Sequence, residues 1–338
     1  MAFMVIPAGC SMIDEDQSDC AETTKIDYDL TLITNITTEI ETQLETELST
    51  ELEMELAAQL RNYLSGVFTD FAHDVDLSFY DTQGDSLRLQ HDEHIMDANQ
   101  ASYALNLPMR QYMHLATANI LDNKLVTLED DERCHRSKLE QVNRDTIESH
   151  STGVFTARQP MEVLEGIDQN FKVHLYMANC AAALVIDPKE HDISSLKVFT
   201  TGFATKFNIC DSTYTFASKS PIVRTAKVTT DNSSELCFVS VNFPSREPKA
   251  TRSIIETTEP FIAKDGDETL WQFKAYITNA DGTITETILS LRQPLRAGQL
   301  KIIKGYVTDN GSVQTSDQTV GVSVTLDWNE GMHQDIPL

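Results

Sequence analysis

The sequence predicts a mainly β protein built as two tandem β-sandwich domains, with one long helix inserted in the first. Three observations predict it. Apolar and polar residues alternate in short runs along most of the chain, the period-2 mark of strands with one buried face. Asp281-Gly282 and Asn310-Gly311 each sit between two such runs, and dipeptides of this kind signal hairpins because they accept positive φ. The 338 residues suit two domains, at about 100–200 residues each. Short strands with regular turns point to sandwiches.

In chain order, the apolar run Phe3-Met4-Val5-Ile6 precedes Ala8-Gly9-Cys10. Residues 1–9 read as the end of a bacterial lipoprotein signal peptide, with Cys10 as the lipidated first residue of the mature protein. Pro7 departs from the usual residue at that place, and no basic stretch precedes the run. Residues 10–24 are polar and acidic and read as a tether. The first domain is expected over 25–152. Its first strand is marked by Ile26, Tyr28, Leu30 and Leu32 alternating with Asp27, Asp29 and Thr31.

A helix is expected over 38–65. Thr38 and Glu41 have the spacing of a capping box, Gly66 offers a stop, and Arg61 suits the negative end of the helix dipole. Apolar residues recur every fourth position at Ile40, Leu44, Leu48, Leu52, Leu56, Leu60 and Leu64. Each step overshoots a full turn by about 40°, so the stripe winds round the helix instead of forming one seam. A coiled coil repeats every ~3.5 residues and is excluded. The helix is expected to lie across a curved sheet edge.

Strands resume at Val75-Leu77-Phe79, turn at residues 81–85, and return through Leu87 and Leu89. Tyr103-Leu105-Leu107 runs into Pro108, which suits a strand end. The charge-dense segment 122–152 reads as loop with a short helix, and the boundary is placed there. The second domain, 153–330, is nearly all strand. Phe171 to Met177 alternates, and Cys180 to Ile186 is a short apolar run suited to a core strand. Further strands are expected at 196–209, 222–229, 235–243, 271–287 and 300–314. The last, Val320 to Trp328, alternates cleanly.

Charge bounds the function. There are 26 basic and 52 acidic residues, a net charge of −26. Nucleic-acid binding needs cationic surface to displace counterions, so that class is disfavoured. No apolar run past Cys10 approaches the ~20 residues of a membrane-spanning helix. The six cysteines (Cys10, Cys20, Cys134, Cys180, Cys210, Cys237) form no C-x-x-C pair, and the strand-like settings of the last three favour buried thiols. His91-Asp92-Glu93-His94 lacks the spacing of a metalloprotease helix and reads as a solvated polar loop. Glu129-Asp130-Asp131-Glu132 lacks calcium-loop spacing. No metal, cofactor or catalytic residue is expected, and the protein is read as no enzyme.

The stretch from Gly9-Cys10 through the acidic tether to Cys20, the first strand Tyr28-Asp-Leu-Thr-Leu and the closing Val322-Ser-Val-Thr-Leu-Asp-Trp328 resemble the fimbrial anchor lipoproteins of Bacteroidales, the FimB-like minor-fimbrium anchor family. The resemblance covers most of Cys10 to Trp328, with the helix at 38–65 as an insertion. It implies two transthyretin-like sandwiches, a lipid on Cys10 in the outer membrane, and a non-enzymatic place in a fimbria (pilus). Subunits of such a fibre join by β-strand addition. The closing strand, with Val320, Val322, Val324 and Leu326, is the candidate junction with a fimbrial subunit. The competing reading is a glycan-binding surface lipoprotein, for which exposed aromatics would speak; Trp271 and Trp328 both stand in strand-like alternation.

Overall fold

The computed structural model describes residues 23–33, 35–48, 53–69, 72–83, 87–96, 102–165, 167–191, 193–228, 234–248 and 269–326. Cys10, Cys20, Trp328 and most of the tether lie outside the described residues.

The alternation at 26–32 becomes β1 (Thr23–Ile33). It joins a seven-stranded sheet with the order β3 (Arg88–Met96), β2 (Asp74–Asp81), β5 (Gln111–Ala118), β9 (Phe155–Glu162), β10 (Asn170–Met177), β1, β4 (Ser102–Pro108). β1 runs parallel to β10, with Asp27 opposite Asn170, and antiparallel to β4, with Thr23 opposite Pro108. Ile26, Tyr28 and Leu30 point into the core. The expected boundary at 152 cuts this sheet, because β9 and β10 belong to it.

The expected single helix is two, α1 (Asn35–Glu47) and α2 (Met54–Val67). The four-residue repeat explains why two serve better. From Ile40 to Leu64 the stripe would turn through about 240° on one helix, but only about 80° on each of two. Ile40, Leu44, Leu48, Leu56, Leu60 and Leu64 are all buried. The capping box does not form. Thr38 is inside α1, where its carbonyl accepts the Thr42 hydroxyl at 2.9 Å. Glu41 instead takes two hydrogen bonds from Arg61, at 2.7 and 2.8 Å, tying α1 to α2. Gly66 lies within α2. The stop comes from Phe68, whose N–H returns to the Leu64 carbonyl, and from Gly153, whose N–H caps the Val67 carbonyl, both at 2.8 Å. A Cβ on Gly153 would come within 2.7 Å of the Phe68 ring, so the close approach needs glycine.

The helices lie between two sheets instead of across one edge, although α2 does reach an outer strand, residues 226–228. Their leucines share one core with Tyr28, Val173 and Leu175 of the seven-stranded sheet and with Ala181, Val239 and Ile302 of a second sheet. That second, five-stranded sheet has the order β16 (Ala226–Val228), β17 (Leu236–Asn242), β11 (Cys180–Asp187), β20 (Leu300–Val307), β21 (Val313–Thr315). Lys304 of β20 donates to the Glu47 carbonyl at the end of α1, at 3.0 Å, and pairs with the buried carboxylate of Glu53. A cation there also suits the helix dipole.

The other face of the five-stranded sheet packs on a six-stranded sheet to make the carboxy-terminal sandwich. Its order is β22 (Val320–Thr325), β19 (Ile284–Leu291), β18 (Trp271–Asn279), β12 (Ile193–Thr201), β15 (Ile222–Arg224), β8 (Thr146–Glu148). The unbroken apolar run of β11 now has its reason. Ala181, Ala183 and Val185 face the helix layer, while Cys180, Ala182, Leu184 and Ile186 face the sandwich core. A strand covered on both sides has no use for alternation. Gly282 (φ +87°) and Gly311 (φ +72°) turn where expected.

Segment 122–152 is not loop. It supplies β6 (Val126–Glu129), β7 (Lys138–Gln141) and β8, with a 3-10 turn at Cys134–Arg136. β6 and β7 pair with β13 (Lys206–Asn208) and β14 (Thr213–Thr215) in a four-stranded sheet that covers Leu115 and Tyr80 on the outer face of β5 and β2. The charges that disguise these strands are chiefly cross-strand pairs: Lys138 reaches Glu129 of β6 at 2.9 Å, and Glu140 takes Lys206 of β13 at 2.5 Å. The result is two β-sandwiches with a helix layer between them.

Candidate functional site

The candidate junction residues sit on β22 and just after it. β22 is the outer strand of the six-stranded sheet and pairs only with β19. It ends at Thr325, short of the expected Trp328. Val320, Val322 and Val324 lie opposite Leu291, Leu289 and Thr287, so they share one face of the sheet. Val320 is buried, and Val322 packs against the sandwich core while only half covered. Leu326 follows the strand and is 53% exposed. The row of valines therefore belongs to a core that stops at its own margin, beside a main chain with no further ladder partner among the described residues.

A fixed turn launches this strand. Asp317 accepts the Thr319 N–H at 2.9 Å, the Thr319 hydroxyl at 2.6 Å and the Lys301 ammonium at 3.3 Å. Burial raises the Asp317 carboxyl, but these donors outweigh it and hold it below the usual carboxylate range. The Val320 N–H then donates to the Asp317 carbonyl at 3.1 Å.

The polar clusters from the sequence go elsewhere. His91 to His94 is no loop but part of β3, at the far edge of the seven-stranded sheet. His94 Nδ1 meets Asp76 at 2.5 Å, while His91 lies 3.7 Å from Glu93 and packs on Phe79. Strand geometry, not loop solvation, spaces them. Glu129 is taken by Lys138, and Asp131 accepts the Arg133 N–H at 2.9 Å.

Two histidines that sequence reasoning did not single out are fully buried. The imidazole of His114 in β5 accepts the Tyr28 hydroxyl at 2.7 Å through Nε2 and faces the Ser78 carbonyl at 3.1 Å through Nδ1. It stacks on Phe79 with centroids 4.3 Å apart. His150 bridges Gln141 and Asn179, each at 3.0 Å. The network assigns both as neutral rings, and burial pushes each pKa down to about 4. They pin neighbouring segments together from within the core.

A cleft opens on the outer face of β9 and β10, beside the four-stranded sheet. It holds about 470 Å³ and is lined by residues including Arg158, His174, Tyr176, Phe207 and Tyr214, with no carboxylate. Tyr176 is 55% exposed. Trp271, by contrast, is buried, its indole N–H held by the Gln293 carbonyl at 3.0 Å. No local motif marks the cleft, because its walls come from three separate segments, within 156–159, 174–177 and 207–214.

No family model matches the chain, and no curated protein matches it in sequence. Solved structures do. A candidate polysaccharide-binding protein of Bacteroides thetaiotaomicron superposes with a TM-score of 0.50 at 7% identity, covering 87% of this chain and 98% of that one. The two share a fold. A candidate adhesin of Bacteroides ovatus gives 0.48 at 12% identity, over 85% and 88% of the chains. The fimbrial anchor protein Mfa2 of Porphyromonas gingivalis gives 0.45 at 11%, over 90% and 98%. Among the described residues, no helix is long and apolar enough to cross a membrane.

Proposed function

We propose that the chain is a non-enzymatic component of a fimbria on the cell surface, an anchor or a subunit. Cys10 carries the lipid that holds it to the outer membrane, and β22 joins it to a neighbouring fimbrial subunit. The observation that carries this reading is the margin at β22. An incoming strand would satisfy its outer main chain and cover Val322 and Val324, the two devices on which strand addition runs. The resemblance of the amino-terminal segment to fimbrial anchor lipoproteins supports the rest, as does the two-sandwich fold.

The test is the double substitution Val322→Lys with Val324→Lys, which leaves the buried Val320 in place. Co-purification with fimbrial subunits should fall at least tenfold while the melting temperature stays within a few degrees. Wild-type assembly with the charged edge would remove β22 as the junction. Separately, a lipid analogue should label wild-type cells at this protein and leave Cys10→Ala unlabelled and lost from the outer-membrane fraction.

A second reading, a glycan-binding surface protein, is favoured by the exposed Tyr176 in its cleft, since aromatic faces stack on sugars. The burial of Trp271 speaks against it. A polysaccharide screen comparing wild type with Tyr176→Ala decides the matter: equal signals, or none, leave the cleft without that role.

A further inference from the structure

We propose that Cys134 and Cys210 are joined by a disulfide bond in the mature protein, clamping the two halves of the four-stranded sheet. Cys134 opens the 3-10 turn before β7, and Cys210 follows β13 by two residues. β7 and β13 are antiparallel, with Lys138 opposite Asn208. Past that rung, the Ile209 N–H donates to the Ser137 carbonyl at 3.2 Å, and the Asn208 side chain donates to the His135 carbonyl at 2.7 Å. The Ser137 N–H closes back on the Cys134 carbonyl at 3.1 Å. Behind these bonds both cysteines, free thiols in this structure, are buried as neighbours in one cluster with Leu139, Phe207 and Ile209.

A bond between the other two described cysteines, Cys180 and Cys237, fails on geometry. Cys180 lies opposite Asn242 and Cys237 opposite Val185, which puts them five rungs apart (185 − 180) on neighbouring strands. That is about 16 Å, against a Cα reach of about 7 Å. They also face different cores, Cys237 the helix layer and Cys180 the sandwich.

Burial, then contact with Cys210, keeps the Cys134 thiol protonated in the finished fold, so the bond forms while the sheet is still closing. The thiolate of Cys134 attacks one sulfur of a disulfide donor, a protein disulfide or oxidised glutathione, and expels one donor thiol. Cys210 then attacks the mixed disulfide at Cys134 and expels the second. One S–S bond forms, two S–H bonds are lost, two electrons end on the donor, and the protons pass to it or to solvent. The presence of the bond in cells rests on the surface location proposed above, because oxidising compartments sustain disulfides.

Two arms separate the geometry from the location. Reduced, denatured protein is refolded in a glutathione redox buffer, blocked with N-ethylmaleimide in guanidinium, and peptide-mapped without reduction. The Cys134 and Cys210 peptides should appear as one linked species, with Cys180 and Cys237 alkylated. Reductant should lower the melting temperature by about 5 °C, and should do nothing to Cys210→Ser. Alkylated Cys134 and Cys210 after refolding overturn the geometric claim, whether or not any variant folds. In the second arm, intact cells are blocked before lysis. A linked pair is expected; free thiols there, with linkage in the first arm, overturn the bond in the mature protein and count against the surface location alone.

Discussion

β3, the outer strand of the seven-stranded sheet, carries Arg88, His91, Asp92, Glu93 and His94, whereas β22, the outer strand of the six-stranded sheet, has no charged residue from Val320 to Thr325. Both end a sheet; among the described residues β22 has no ladder partner on its outer side, while β3 is met there only at its start, where the Leu89 N–H donates to the Glu132 carbonyl at 2.8 Å. Charge on an edge strand blocks pairing with other chains, because an incoming strand would have to desolvate it. β3 is thus closed by its composition and β22 is open. β4, at the opposite edge from β3, is also uncharged, but it ends in Pro108 and turns Ser102, Ala104 and Asn106 to solvent. Among the described residues, an uncharged edge without an outer ladder partner and an apolar face that reaches the sheet's margin coincide at β22 and not at β4. The difference teaches that a sheet's alternation identifies a strand, while its charge decides what may join it.

The largest expected effect breaks the comparison directly. Lysines at positions 322 and 324 give β22 the character of β3, and subunit capture should drop at least tenfold; Ala104→Lys on β4 should leave capture unchanged. A second effect separates edges from interior. Lys304→Met leaves the buried Glu53 carboxylate without its cation, which should cost about 3 kcal/mol in urea denaturation. The folded fraction should still capture subunits like wild type. If capture vanishes as well, the junction depends on the helix layer and not on the edge.

A third effect is set by pH. His114 and His150 have folded pKa values near 4, below the 6.5 of a free histidine. Their unfolded forms therefore bind protons first, so their contribution is intact above pH 6.5 and is lost as pH falls toward 4. At pH 5 the loss is about 2 kcal/mol for each ring. His114 pins β5 to β1, and neither ring belongs to a strand of the six-stranded sheet. Hydrogen exchange at pH 5 should accordingly rise in β1 and β5 before β18 and β19. The smallest effect is Glu41→Gln, which weakens a half-exposed pair with Arg61 and should cost about 0.5 kcal/mol.

Much of this was legible before the fold was known. Tyr28, Val173 and Leu184 fall in strands because alternation and apolar runs report burial directly. What failed were features set by partners far away in the chain. Lys138 and Glu129 look like solvated charge until β6 and β7 bring them together. The leucine repeat predicts helix but does not mark where one helix becomes two, since both packing surfaces belong to other segments. Alternation in Val320–Thr325 describes an edge strand as well as a central one, and only the strand's neighbours in the folded sheet tell them apart. The meeting of Cys134 with Cys210 left no trace in spacing at all.

The position of β1 bears on mechanics. It lies one strand in from the sheet's edge, paired through Asp27–Ile33 to β10 on one side and through Thr23–Asp29 to β4 on the other. A pull on Thr23 along the strand axis therefore strains both ladders in shear, loading many bonds at once, instead of peeling them one by one. Resistance to such a load is governed by the rate of unfolding and not by equilibrium stability. If the chain is tethered as proposed, a tug from its amino-terminal end would be met first by β1, loaded in shear on both sides.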